Sequence, residues 1–140
     1  MSKVAFKKSI FFILICSILM FSLSSCGGID ISDAKLLIDD FFKAVVAEEY
    51  DRAATYLHPE LSEDLKAYFD KSEETLSIDF QQGVEIEKYT GFRSTVYNSS
   101  VKGSLLELTM NAKADKKNIQ IQITIVKNDN GYGIYTIYIS

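Results

Sequence analysis

"NIQIQITIV" (residues 118–126) decides how the second half of the chain folds. Ile119, Ile121, Ile123 and Ile125 alternate with Gln120, Gln122 and Thr124. A period of two sends successive side chains to opposite sides of a strand, so the isoleucines predict a strand buried on one face and wet on the other. "NDNG" (128–131) follows, a run of residues tolerant of positive φ that reads as a hairpin turn. "YGIYTIYI" (132–139) then closes the chain as a strand apolar on both faces. Working backwards, "ADKK" (114–117) is a turn, and "VKGSLLELTMNAK" (101–113) alternates at Leu106, Leu108, Met110 and Ala112. Val84 and Ile86, with Lys88 as the next candidate, share a face further upstream. Glu85, Glu87 and Glu107 fall out of phase with the apolar positions and are expected on the outer, solvated side.

Before Gly83 the period is helical. Ala34, Leu37, Ile38, Phe41 and Val45 recur at helix spacing, Phe42 widens the stripe, and Asp39, Asp40 and Lys43 lie off it. Asp30 or Ser32 can cap the start, and Asp33 suits the positive end of the helix dipole. Glu48, Glu49 and Tyr50 end this element. Asp51 can cap a short second helix through Ala53, Ala54 and Leu57, and Pro59 turns the chain by disfavouring helical geometry at His58. Ser62 is a good cap for a third helix carrying Leu65, Tyr68 and Phe69, with Glu63 and Asp64 in its first turn. Its end is open: "LSIDF" (76–80) fits either a continuing helix, stopped at Gly83, or a strand. Helices first and an antiparallel sheet afterwards make an α+β domain, with the first and third helices laid across the concave face of a curved sheet.

"AKLLIDDFFKAVVAEEYDRAATYLHPEL" (34–61) resembles the opening of nuclear-transport-factor-2-like domains, also described as cystatin-like or SnoaL-like. Those often begin with a long helix carrying aromatic residues near its middle, then a helix of the form YDxAxxxL, and end in a strand meander. The resemblance implies a cone of helices and sheet whose open end can hold a small ligand. Enzymes of that superfamily often place an aspartate–histidine pair in the cone. His58 is the one histidine here and none lies in the sheet half, a departure from that pattern.

The first residues read as an address. Lys3, Lys7 and Lys8 precede the apolar run "IFFILICSILMF" (10–21), and Ser24 and Ser25 follow. That order is a secretory signal peptide, and roughly a dozen apolar residues fall short of the twenty or so that span a bilayer. An uncleaved anchor is the competing reading. Leu23-Ser24-Ser25-Cys26 resembles the bacterial lipobox, in which a peptidase cuts before a cysteine whose thiol takes a diacylglyceryl group. An ordinary secretory cleavage near an unrelated cysteine is the alternative. The resulting organisation is a signal peptide over 1–25, a lipidated tether over 26–29, and an α+β domain over 30–140. The expected location is the cell membrane or outer membrane, extracytoplasmic and lipid-anchored, with Cys26 as the attachment site and the membrane as partner.

Cleavage before Cys26 leaves 115 of the 140 residues, enough for one modest core. The leader holds three of the 15 basic residues and none of the 19 acidic ones, which leaves 12 against 19 and a formal charge of −7. Such a domain repels phosphate backbones, so nucleic acid is not an expected partner. Cys16 lies in the leader, so the mature chain has no disulfide, zinc cluster or redox pair. No cofactor or metal motif is present. The paired acids at 39–40, 48–49 and 73–74 are adjacent in sequence and do not face each other on a helix.

The aromatic residues are the remaining hint. Tyr50 and Tyr56 near the helices, and Tyr135 and Tyr138 on the last strand, are candidates for a pocket wall or partner surface, against plain core and sheet packing. His58 is expected at a surface or helix end and dispensable for function. Two functions follow. One is a non-enzymatic binding module at the membrane, with a protein or small ligand as its unknown partner. The other is a small isomerase or hydrolase using carboxylate and tyrosine in the cone, which requires a buried acid beside a tyrosine.

Overall fold

The computed structural model describes residues 28–140. The elements are α1 (Ile31–Val46), α2 (Tyr50–Ala54), α3 (Leu65–Leu76), a 3-10 turn (Phe80–Gln82), and four strands. The strands are β1 (Val84–Asn98), β2 (Gly103–Ala114), β3 (Lys117–Asn128) and β4 (Gly131–Ile139). They form one antiparallel meander in the order β1-β2-β3-β4, curved and not closed on itself. The α+β reading, helices before sheet, holds.

Asp30, not Ser32, caps α1: its Oδ1 accepts from the amides of Ser32 at 2.8 Å and Asp33 at 3.1 Å. The stripe Ala34, Ile38, Phe41, Phe42 and Val45 is buried as its spacing predicts. Three expectations shift at the next boundaries. Asp51 lies inside α2, whose N-cap position is Glu49 with no side-chain bond. Asp64, rather than Ser62, caps α3 by accepting from Ala67 N at 3.1 Å. The helix stops at Leu76 because Ser77 adopts the left-handed conformation at φ 52°, so "LSIDF" continues neither as helix nor as strand. The amide of Phe80 instead bonds back to Glu73 Oε1 at 2.8 Å, and Gly83, at φ 109°, closes the 3-10 turn.

The isoleucines of β3 face the helices: Ile119, Ile121, Ile123 and Ile125 all belong to the core, with Gln120 and Gln122 exposed on the other side. Their β2 partners across the ladder are Ala112, Met110, Leu108 and Leu106, also buried. Glu85, Glu87 and Glu107 are exposed; Glu87 pairs with Lys113 at 2.6 Å and Glu107 with Arg93 at 3.6 Å. β1 departs from the simple alternation. Bulges between Ile86 and Lys88 and between Tyr89 and Gly91 reset its phase, so Tyr89 and Phe92 take the inner positions and Lys88 is exposed. The two-residue turn at Asp115 and Lys116 has φ of 48° and 65°, whereas in "NDNG" only Gly131 has positive φ. There Asn128 Oδ1 holds the turn instead, accepting from the amides of Asn130 and Gly131 at 2.9 and 3.2 Å.

The segment after α2 adds an isolated parallel bridge to the outer side of β4. Leu57 lies parallel to Ile134, whose N–H donates to Tyr56 O at 2.9 Å and whose carbonyl accepts from His58 N at 2.8 Å. Gly133 allows this approach, because a Cβ there would sit 2.6 Å from the backbone of Leu57 and His58. The outer edge of β4 is therefore covered at its start.

Candidate functional site

In a cone-shaped domain a ligand would enter between helices and sheet. Here that space is filled by side chains: Phe41, Phe69, Phe80, Met110, Ile121 and Ile123 are all fully buried against one another in a single cluster. Phe69 is its aromatic centre, with the Phe80 ring 5.1 Å away and the Phe41 ring 6.1 Å away.

The four candidate tyrosines do not line one shared recess. Tyr50 is half-buried beside Phe69, with ring centres 6.4 Å apart. It lines an open recess of about 660 Å³ between α2 and α3, among Glu48, Asp51, Glu63, Asp64 and Lys66. Its phenol is pushed up from the usual range, first by burial and then by Glu73, Asp70 and Glu48. Tyr56 packs against the core and gives its carbonyl to Ile134. Tyr138 pairs with Gln122 on the outer face of the sheet and is 60% exposed. Tyr135 is the extra residue at the bulge in β4, where the ladder steps from Thr124↔Thr136 to Ile125↔Ile134. It borders two recesses. One is an apolar cleft of about 240 Å³ with Leu61, Tyr68 and Ile137, and the other a polar one of about 320 Å³ with Glu60, Lys102, Asn128 and Asn130.

His58 corrects the surface expectation: it is fully buried, the sole buried polar or charged residue among the described residues. Its burial comes from contacts made across the fold. Nδ1 accepts from the Glu60 amide at 3.2 Å, so the hydrogen sits on Nε2, which donates to Asn128 Oδ1 at 3.0 Å. Tyr135 meets the ring edge-on at 5.6 Å. Asn128 Nδ2 donates to Glu60 Oε2 at 3.1 Å and to Val101 O at 2.8 Å, while Asn130 Nδ2 reaches Glu60 Oε1 at 2.7 Å. One side-chain network thus ties the turn after α2 to the β1–β2 and β3–β4 hairpin tips, with both ring nitrogens occupied.

Glu60, His58 and Tyr135 are the place where a carboxylate, a histidine and a tyrosine meet. The hydrogen bonds from Asn128 and Asn130 hold the Glu60 carboxyl below the usual carboxylate range, opposite to the upward shift that acid–base work at neutral pH needs. A carboxyl held low stabilises the fold above its unfolded-state value, and that contribution is lost as pH falls through the folded-state value. No group of three metal-ligating side chains occurs among the described residues. The arrangement fits a clip between turns. His58→Ala is accordingly expected to lower stability by about 1–3 kcal/mol through the Glu60 amide left without its acceptor, while Asn128 Oδ1 keeps its bonds from Asn130 and Gly131. A urea melt indistinguishable from that of the parent chain would contradict this.

Cys26 and the whole leader lie outside the described residues. Among those described, no helix is long and apolar enough to cross a membrane. The histidine clip was not legible in sequence, since its partner Asn128 lies 70 residues away. No family model matches this chain, and neither a curated protein nor a solved structure matches it.

Proposed function

We propose that this chain is a bacterial lipoprotein, held outside the cytoplasm by acyl chains on Cys26, whose domain works as a non-enzymatic binding or interaction module of nuclear-transport-factor-2-like type. The observation that carries the module reading is the filled interior: the place where such a cone would hold a ligand is occupied by Phe41, Phe69, Phe80 and Met110. Contacts to a partner therefore fall to the outside of the domain, where Tyr50, Tyr135 and Tyr138 offer amphipathic rings. The anchoring rests on the lysine start, the short apolar run and "LSSC". Two or three acyl chains hold a protein stably where one binds only marginally.

Mass spectrometry of the protein from its native membrane is expected to find residue 26 first, carrying acyl chains. Cys26→Ser should move the protein out of the membrane fraction or trap it with its leader attached. A mature protein that retains residues 1–25 would sink the lipoprotein reading. Capture of partners with the anchored protein, followed by identification of what co-purifies, tests the module; turnover of a small substrate by the purified chain would replace it with the enzyme reading.

A further inference from the structure

The chain joins the domain at an apolar shelf. Gly28 lies against Ser94, and a Cβ built on it would be 3.7 Å from the Ser94 hydroxyl. On β1, Ser94 pairs with Leu106 and Phe92 with Leu108, both buried, so Ser94 and Phe92 face the helix side of the sheet. Cover from α1 reaches them only in part. The Lys35 ammonium sits 4.6 Å from the centre of the Tyr89 ring and 5.3 Å from that of Phe92, and the two rings stack 5.7 Å apart. Past this point a third register shift in β1, between Thr95 and Asn98, sets Val96 and Tyr97 together across from Ser104, which is in phase with the inward Leu106 and Leu108. Phe92 is 47% exposed, Val96 72% and Tyr97 67%, and Ile31, in the first turn of α1, is 41% exposed. Four of the seven large exposed apolar side chains among the described residues are thus on the segments that flank Gly28, rather than scattered over the surface.

We propose that Ile31, Phe92, Val96 and Tyr97 form a membrane-resting face that lies in the interfacial layer of the bilayer. The proposal rests on the lipoprotein reading of Cys26. That cysteine precedes Gly28 by two residues, and two residues of chain span at most about 7 Å. Acyl chains on Cys26 enter the bilayer at that distance from the shelf, so the domain cannot stand off on a stalk and the nearest protein surface meets the lipid. The chemistry of that surface suits the contact: aromatic rings, tyrosine above all, settle at headgroup depth, where one end is apolar and the other wet. A formal mature charge of −7 gives no attraction to anionic headgroups, so the contact is apolar and independent of lipid charge.

The chain has no tryptophan, which makes the test direct. Phe92→Trp, Tyr97→Trp and, on the outer sheet face, Tyr138→Trp are each introduced into the full chain. The acylated proteins are placed in phosphatidylcholine vesicles carrying nitroxide-labelled lipid, with a thermal melt to verify folding. The expected result is loss of most emission at positions 92 and 97 and unchanged emission at 138, with the same pattern when anionic lipid is added. If Cys26 is acylated and the protein stays with the vesicles, yet emission at 92 and 97 is as unquenched as at 138, the face is refuted and the anchor stands. If Cys26 carries no acyl group and the protein leaves the vesicles, both are refuted. Emission at 92 that is shielded from the labelled lipid and shifts with protein density would put a second copy on the shelf and overturn the proposal.

Discussion

Phe69→Ala is expected to lower the unfolding free energy by about 3–5 kcal/mol, the range for removing a buried aromatic ring. Phe69 is fully buried on α3, and its ring is the point where the helical layer comes together. Phe80 from the 3-10 turn meets it edge-on at 5.1 Å, Phe41 and Phe42 from α1 lie 6.1 and 6.5 Å away, and Tyr50 from α2 lies 6.4 Å away. Truncation leaves a hole bordered by three other elements, which cannot all close on it without moving relative to one another. The loss therefore includes a cavity cost beyond the transfer of the ring. In a domain of this size each kcal/mol moves the melting midpoint by roughly 4–8 °C. Phe69→Leu keeps much of the volume and should cost clearly less. A Phe69→Ala midpoint within a degree or two of the parent would mean that the aromatic cluster does not hold the helices together.

Ile123→Ala should cost about 2–5 kcal/mol for a different reason. Ile123 is opposite Leu108 on β2 and Ile137 on β4, at the middle of the meander and under the helices. It has ladder neighbours on both sides, so no edge residue can slide in to fill the gap. Gln122→Ala, one position along and exposed on the other face, should change stability by no more than about 0.5 kcal/mol. Equal effects at 122 and 123 would contradict the register that places the isoleucines inward.

β2 and β3 were legible because strict alternation runs through them without interruption, from Leu106 to Ala112 and from Ile119 to Ile125. β1 was legible only at its start. Its inner positions fall at Val84, Ile86, Tyr89, Phe92 and Ser94, and two bulges turn a spacing of two into three. A period-two reading cannot follow such a strand. The α1 stripe was readable for the reason β3 was, while the start of α3 was not, because Ser62 and Asp64 are both competent caps and only packing chooses between them. The burial of His58 depends on Asn128, Glu60 and Tyr135, two of which belong to the far end of the sheet. Nothing local to "YLHPEL" marks it as interior. The same limit applies to the candidate tyrosines. Their identity as amphipathic side chains is a sequence property, whereas their dispersal among a helix recess, the core, a bulge and the outer sheet face is a property of the fold.

The two borders of the sheet are unlike, and this governs what the molecule can build with its own kind. On β4 the main-chain groups of Ile134 are taken by Tyr56 and His58, and the carbonyl of Ile137 accepts from the Tyr68 hydroxyl at 3.0 Å. β1 has no such neighbour among the described strands. Polymerisation by main-chain pairing needs a free donor side and a free acceptor side on every subunit, so that each addition exposes a new place to add. A subunit with a single usable border exhausts it in the first encounter. The Tyr56–His58 segment moves this domain toward that case: two copies joined through β1 would leave only the partly covered border of β4 on each side from which to extend.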